Sequence, residues 1–416
     1  MNMTKITKSI VSSIVLSAAS ISSAVMAMDL VMATDEENRS VLQTTIAMRT
    51  DNQWNVSAYD GSNLAMVDDI RARAVTSTLP NAAQIPGATI RRWAALGFIN
   101  NLGASAYSGS WQTRLPKTIQ EDISFQDNVF AVPTQIHRSN WMWMNDSVLH
   151  NDTQSINPPR TWASFFELLN NNATGRQANI ITVNDPSQNA LILEALILGL
   201  KGPEFYQKTF IEFDYTVLKS EDMVDVFKIL EKLRPMLARP GYDDWQSASQ
   251  ALIQGKGQIL FAGDWIKPLF VDKDGALPES IVCEPLPEAS ATFLYNLNSV
   301  VLFKETNDKS SDELAQLLFT EQLLTDLNLR EGSIPARLDI SPWGFDRCAV
   351  RAMREFRSSH TINTLQPSLA AGMAAPEGVQ KSVYEAVNAF ITDNSMTAEE
   401  GTKSLAKAIR VAIYKI

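Results

Sequence analysis

Apolar and polar positions along this chain fall into short blocks whose period switches between two and roughly three and a half. The stretch WNVSAY (54–59) reads as a strand. LAMVDDIRARAV (64–75) follows it, with Leu64, Val67 and Ile70 on one helical face. AAQI (82–85) is another short strand, closed by Pro86-Gly87, and IRRWAALGF begins a helix. In DNVFAVPTQ, turn residues precede alternating apolar ones, which is a hairpin signal.

The theme returns with different material after residue 145. PPRTWASFFELLNN carries Pro at an expected helix start, ANIITV reads as a buried strand, and SQNALILEALILGL as an apolar helix capped by Ser187. DDWQSASQALIQGKGQILFAGDW spells helix, glycine stop, strand and turn. Helical patterns dominate the last hundred or so residues: DELAQLLFTEQLL, FDRCAVRAMREF and two more after Pro376. Strand–helix alternation in two blocks with a helical tail predicts an α/β chain of two lobes.

The N-terminus adds a location. Lys5 and Lys8 precede an apolar, Ser-rich run, and Val25 and Ala27 sit at the small-residue positions of a cut after Ala27. Residues 1–27 therefore read as a secretory signal peptide, too short and too polar for a membrane span. Cleavage removes two positive charges and takes the net charge from −10 to −12. A balance this acidic argues against nucleic acid, whose phosphates need a basic face. In an exported chain the two cysteines, Cys283 and Cys348, suggest one long-range disulfide, with two buried thiols as the alternative.

Catalytic patterns are scarce. The chain has no G-x-S-x-G, H-E-x-x-H, P-loop or dinucleotide fingerprint, and GKG at 255–257 lies between helix and strand, the wrong order for a phosphate cradle. Three scattered histidines and two scattered cysteines give no metal-ligand spacing, so neither a metal nor a cofactor is expected. A glycosidase would need only two carboxylates brought together by folding, but no convincing pair can be named.

More informative are aromatic and polar residues at strand ends and turns. His137 and Asn140 flank a strand in AVPTQIHRSNWMWMN (131–145), and Trp245 and Trp265 lie at helix starts. Sugars are bound by such groups, an aromatic face against the C–H side of the ring and amides or charges on the hydroxyls. Trp141 and Trp143, alternating with Met142 and Met144, read as core. For Trp245 and Trp265, core and ligand contact stay equally open.

Taken in order, AVPTQIHRSNWMWMN, PPRTWASFFELL, LGLKGPEFYQKTF, DWQSASQALIQGKGQILFAGDW, GSIPARLDI and GMAAPEGVQ resemble the extracellular solute-binding proteins of bacterial carbohydrate ABC transporters, in particular the glucose/mannose-type branch. The likeness runs from about residue 50 to the C-terminus. It implies a two-lobed type II Venus-flytrap fold, with interlobe crossings near 134–139, 286–291 and 338–343. One lobe would comprise 28–136 and 289–340, the other 137–288 and 341–416. CEPLP and FDRCA are similar to the family's paired-cysteine segments, which supports a Cys283–Cys348 bridge. The resemblance further implies a monomer that binds a small polar ligand, a sugar above all, between its lobes. Its partner would be an ABC permease or, in the alternative reading, a membrane sensor such as a histidine kinase or a cyclic-dinucleotide enzyme.

Against the family pattern the chain shows departures. DLVMATDEENRS has no Trp where that branch carries a Trp pair and a Glu; YDGSN replaces a glycine run; QIPG keeps Gln84 but loses a Lys. Asn298 stands at an expected Asp, Glu331 at an expected Lys, and Ala371 at an expected His. A sugar hydroxyl buried without its partner costs about 1–3 kcal/mol, so losses of this kind imply an altered specificity. The candidate ligand contacts are Gln84, His137, Asn140, Trp245, Trp265 and Asn298.

Overall fold

The structure, a computed structural model, describes residues 27–50, 54–59, 63–149, 157–170, 179–271 and 276–415. The segment read as an export signal lies outside the described residues except for Ala27.

The first sheet starts from three parallel strands, β1 (Met28–Met32), β2 (Trp54–Ala58) and β3 (Ala82–Pro86), with β1 between the other two. Each is followed by a helix, at Glu36–Ala47, Asn63–Val75 and Gly87–Ala95. Helices on the faces of such a sheet require strands buried on both sides, and Leu30, Val31 and Met32 are all buried. After a two-residue hairpin, β4 (Ser124–Phe125) with β5 (Asn128–Val129), comes β6 (Val132–Arg138), buried along its whole length.

A second, smaller sheet takes over in β7 (Trp141–Asn145), followed by β8 (Ile180–Ile181), β9 (Ile259–Phe261) and β10 (Ile281–Pro285), in the order β10-β7-β9-β8. Here Trp141, Met142, Trp143 and Met144 are fully buried, the core role their alternation predicts. Around this sheet pack the helices Ser187–Phe210, Glu221–Leu237, Glu377–Thr392 and Ala398–Ile413. No helix among the described residues is long and apolar enough to cross a membrane.

The chain returns to the first sheet in β11 (Phe293–Leu302). This ten-residue strand pairs with β12 (Leu365–Pro367) at its start, with β6 along its middle and with β3 toward its end. The passages between sheets therefore fall at Arg138–Trp141, at Pro285–Phe293 and after Pro367. The third comes later than the 338–343 expected from the resemblance. β12 is still hydrogen-bonded to β11, and only beyond it does the chain reach the helix Glu377–Thr392. Cys283 in β10 is disulfide-bonded to Cys348 in the helix Arg347–Thr361, which ties that helix to the second sheet.

Local chemistry corrects some sequence expectations. Ser187 does not cap its helix; Asp185 does, accepting from the Ser187 N–H at 2.9 Å. Pro158 and Pro159 precede the first helical residue, Trp162, whose helix is capped by reciprocal bonds between Thr161 and Ser164. DELAQLLFTEQLL is split between two helices, Asp308–Leu318 and Glu321–Glu331, because the Thr320 side chain caps the second. The glycine stop at Gly255 holds, with φ of +65°.

Candidate functional site

His137 and Asp264 face each other where the lobes meet. His137 is the penultimate residue of β6, and its Nδ1 lies 2.9 Å from Asp264 Oδ1. A carboxylate only accepts, so Nδ1 donates to it. Asp264 Oδ2 takes the Arg138 backbone N–H at 3.0 Å, so one carboxylate of the second lobe clasps the end of the crossing strand. Asp264 opens a 3-10 turn, Asp264–Leu269, just past β9. Ligand groups in open α/β sheets gather beyond strand C-termini, and that position is the one signal that could have marked Asp264 in the sequence.

Register places further groups beside His137. Residues directly opposite in an antiparallel pair share a sheet face. Asn296 is opposite His137, Asn298 opposite Gln135 and Pro86, and Val300 opposite Gln84. Gln84, Gln135, His137, Asn296 and Asn298 thus lie on one face of the first sheet. Gln84 and Gln135 are 2% and 3% exposed, and their Oε1 atoms, like Asn296 Oδ1, are buried without a hydrogen-bond partner among the described residues. Gln135 and Asn296 were not among the sequence candidates, since a lone amide inside an apolar strand looks like any polar interruption.

From the second lobe come Trp245 and Trp265, both half-buried. Their rings meet edge to face with centroids 6.3 Å apart. The Trp245 Nε1 donates to Asp185 Oδ2 at 2.9 Å. Trp265 lies over Gly263, where an added Cβ would come within 1.9 Å of the indole, so only glycine admits this ring position. Trp265 packs against both hydrophobic clusters.

Asn140 is placed differently from the other candidates. It is fully buried, and its Oδ1 accepts from Arg138 Nε at 3.0 Å and from the Leu294 N–H at 3.2 Å. Its Nδ2 reaches the Thr292 carbonyl at 3.4 Å. The amide fastens two crossing segments to each other and offers no free group.

Glu331 approaches from the first lobe. Its Oε1 accepts from the Thr34 hydroxyl and from Asn38 Nδ2. Burial raises its pKa, opposed by the Thr34 hydrogen bond and by nearby His137. The adjoining Gly332, at φ +73°, has space for a Cβ only 2.9 Å from the Asp264 carbonyl oxygen, so the two lobes nearly touch here. Among the described residues no group of three or more His, Cys, Asp or Glu is placed to hold a metal ion.

Two α/β lobes joined by three passages, with His137 of one meeting Asp264 of the other, define a two-lobed binding-protein fold. Residues 47–344 match the family described as bacterial extracellular solute-binding protein, and the chain belongs to that family. Its members bind solutes and are not enzymes. A "probable sugar-binding periplasmic protein" of Brucella suis biovar 1 (strain 1330) is 32% identical over 347 residues, covering 82% of this chain and 81% of the relative. Among solved structures, the bacterial solute receptor AcbH superposes with a TM-score of 0.76 at 13% identity, over 92% of this chain and 98% of that one. A chitin oligosaccharide binding protein gives 0.71 at 15% identity, over 94% and 100%. At such identities these structures establish the fold.

Proposed function

We propose that this protein captures a carbohydrate between its lobes in the periplasm and presents it to an ABC permease, with a specificity differing from that of glucose/mannose binders. The observation that carries the reading is the presence of two complementary kinds of surface, one on each lobe. Trp245 and Trp265 carry indole surface on one lobe, and Gln84, Gln135, Asn296 and Asn298 share a sheet face with His137 on the other. Indoles stack on the apolar side of a sugar ring while amides and imidazole satisfy its hydroxyls. The description of the Brucella suis relative as sugar-binding and periplasmic supports it, as does the signal-like N-terminus.

Gln84, His137, Trp245, Trp265 and Asn298 are the proposed contacts; Asn140 contributes by fixing the crossing. A thermal-shift screen of the mature protein against monosaccharides and short oligosaccharides tests the reading. A sugar present at a hundredfold its Kd adds about 2.7 kcal/mol of stability and raises the midpoint visibly. Trp265→Ala should then weaken that sugar at least about tenfold, the scale expected when an aromatic ring is removed from a buried site. A screen in which no sugar moves the midpoint would reject the carbohydrate assignment.

A further inference from the structure

We infer that the cleft selects a carbohydrate bearing a protonated amine, an amino sugar or a glycan ending in one, over neutral and acidic sugars. The inference rests on the carbohydrate reading above and names the substrate class for the same site. Its basis is the excess of carboxyl groups at the junction.

Glu331 and Asp264 approach from opposite lobes. Glu331 Oε1 is held by the neutral donors Thr34 and Asn38, and Oε2 accepts no hydrogen bond among the described residues. Asp264 is met by the His137 ring and a backbone N–H; no Lys or Arg side chain among the described residues is in ion-pair contact with it, and the Arg138 guanidinium acts on it from farther off. Cations close by in the chain are engaged elsewhere. Arg138 pairs with Glu355, Lys267 with Asp346 and Arg337 with Asp339. One imidazole thus stands between two carboxyl groups, and Asp35 adds a third negative group near Glu331.

The second observation is independent of charge. Gln84 and Gln135, more than nine-tenths buried, hold Oε1 atoms without a partner among the described residues, on the sheet face that carries His137 to Asp264. A buried acceptor left unpaired is destabilising, and a ligand donor that reached it would recover that loss. The floor therefore sets unpaired acceptors beside an excess of carboxyl groups. An ammonium supplies three donors and no acceptor, and hydroxyls on the same ring serve the amides. A uronate would meet like charge, and N-acetylation removes the charge that Glu331 would pair with.

Isothermal titration of the wild-type mature protein at pH 7 with D-glucosamine, D-galactosamine, D-glucose, N-acetyl-D-glucosamine and D-glucuronate tests this. A charge-assisted hydrogen bond exceeds a neutral one by about 1 kcal/mol or more, so an amino sugar should bind about five- to tenfold tighter than glucose, and glucuronate weakest. Glu331→Gln should bring the amino sugar to the affinity of glucose while leaving glucose nearly unchanged. If glucose or N-acetylglucosamine binds as well as glucosamine does, the amine inference falls and the carbohydrate reading stands. If none of the five binds, both fall. A folded Glu331→Gln protein that keeps the full preference would also overturn it. The wild-type comparison needs no variant, so a folding defect in Glu331→Gln cannot shield the inference.

Discussion

Arg138 shows how much a single side chain carries at the first passage. It is fully buried, its guanidinium 4.4 Å from the Trp141 ring centroid and 4.8 Å from that of Phe293, and it pairs with Glu355. Burial alone would raise the Glu355 pKa, but Arg138 outweighs it and holds the carboxyl below its ordinary value. Removing one member of such a pair strands the other. Arg138→Met should therefore lower unfolding free energy by about 3–5 kcal/mol in a urea titration, far more than a surface Arg would. Glu194 is the opposite case. Buried in the helix Ser187–Phe210, its carboxyl is pushed up to about 7 despite hydrogen bonds from Ser368 and Tyr206 and from the Leu369 N–H. The folded protein thus holds this proton more tightly than the unfolded chain does. The stability it confers is present at low pH and lost as pH rises from about 4.5 to about 7. Midpoints of wild type and Glu194→Gln, compared from pH 5 to 8, should diverge in favour of the variant as pH increases.

At the scale of elements, the disulfide and the caps decide how helices sit on the sheets. The Cys283–Cys348 bridge spans a sequence separation of 65 residues and joins β10, at the edge of the second sheet, to a helix that packs on β11 and β12 of the first. Closing a loop of this size restricts the unfolded chain, and its loss costs about 2–4 kcal/mol. Reduction, or the Cys283→Ala/Cys348→Ala pair, should lower the thermal midpoint by several degrees without changing far-UV circular dichroism. Asp185 has a double duty at this scale. It caps the apolar helix Ser187–Phe210 through the Ser187 N–H and also anchors the Trp245 indole. The orientation of a proposed ligand contact is thus set by a helix start 60 residues earlier in the chain.

For the whole molecule, the passages at Arg138–Trp141, Pro285–Phe293 and beyond Pro367 are where the two lobes are joined. Ser368 donates its N–H to the Tyr295 carbonyl at 2.8 Å, and Glu194 of the second lobe binds the same Ser368 through its hydroxyl. Asp264, clasping the end of β6, and Glu194, at the third passage, are therefore two points at which the second lobe grips strands of the first. Domain closure around a ligand turns on connecting segments of this kind, with lobes moving as bodies. Small-angle scattering of the sugar-bound protein should give a smaller radius of gyration than the free protein, and Trp265→Ala should abolish the change at the same sugar concentration. An unchanged radius at saturation would mean that binding does not close the lobes.

The sequence by itself determined the α/β class, the two blocks and most helices, because amphipathic period and turn chemistry are local. The core role of Trp141 and Trp143 was legible for the same reason: strict alternation with two methionines inside an apolar strand leaves no polar face. The pairing of Cys283 with Cys348 was legible as well, since the chain holds only two cysteines. Only tertiary structure decided where the third passage falls, because a three-residue strand at 365–367 acquires its meaning from β11 alone. It also separated Asn140, consumed by backbone groups more than 150 residues away in sequence, from His137, three positions earlier, which reaches across to Asp264. Whether a polar side chain is spent or available depends on partners far along the chain, and no local pattern encodes that.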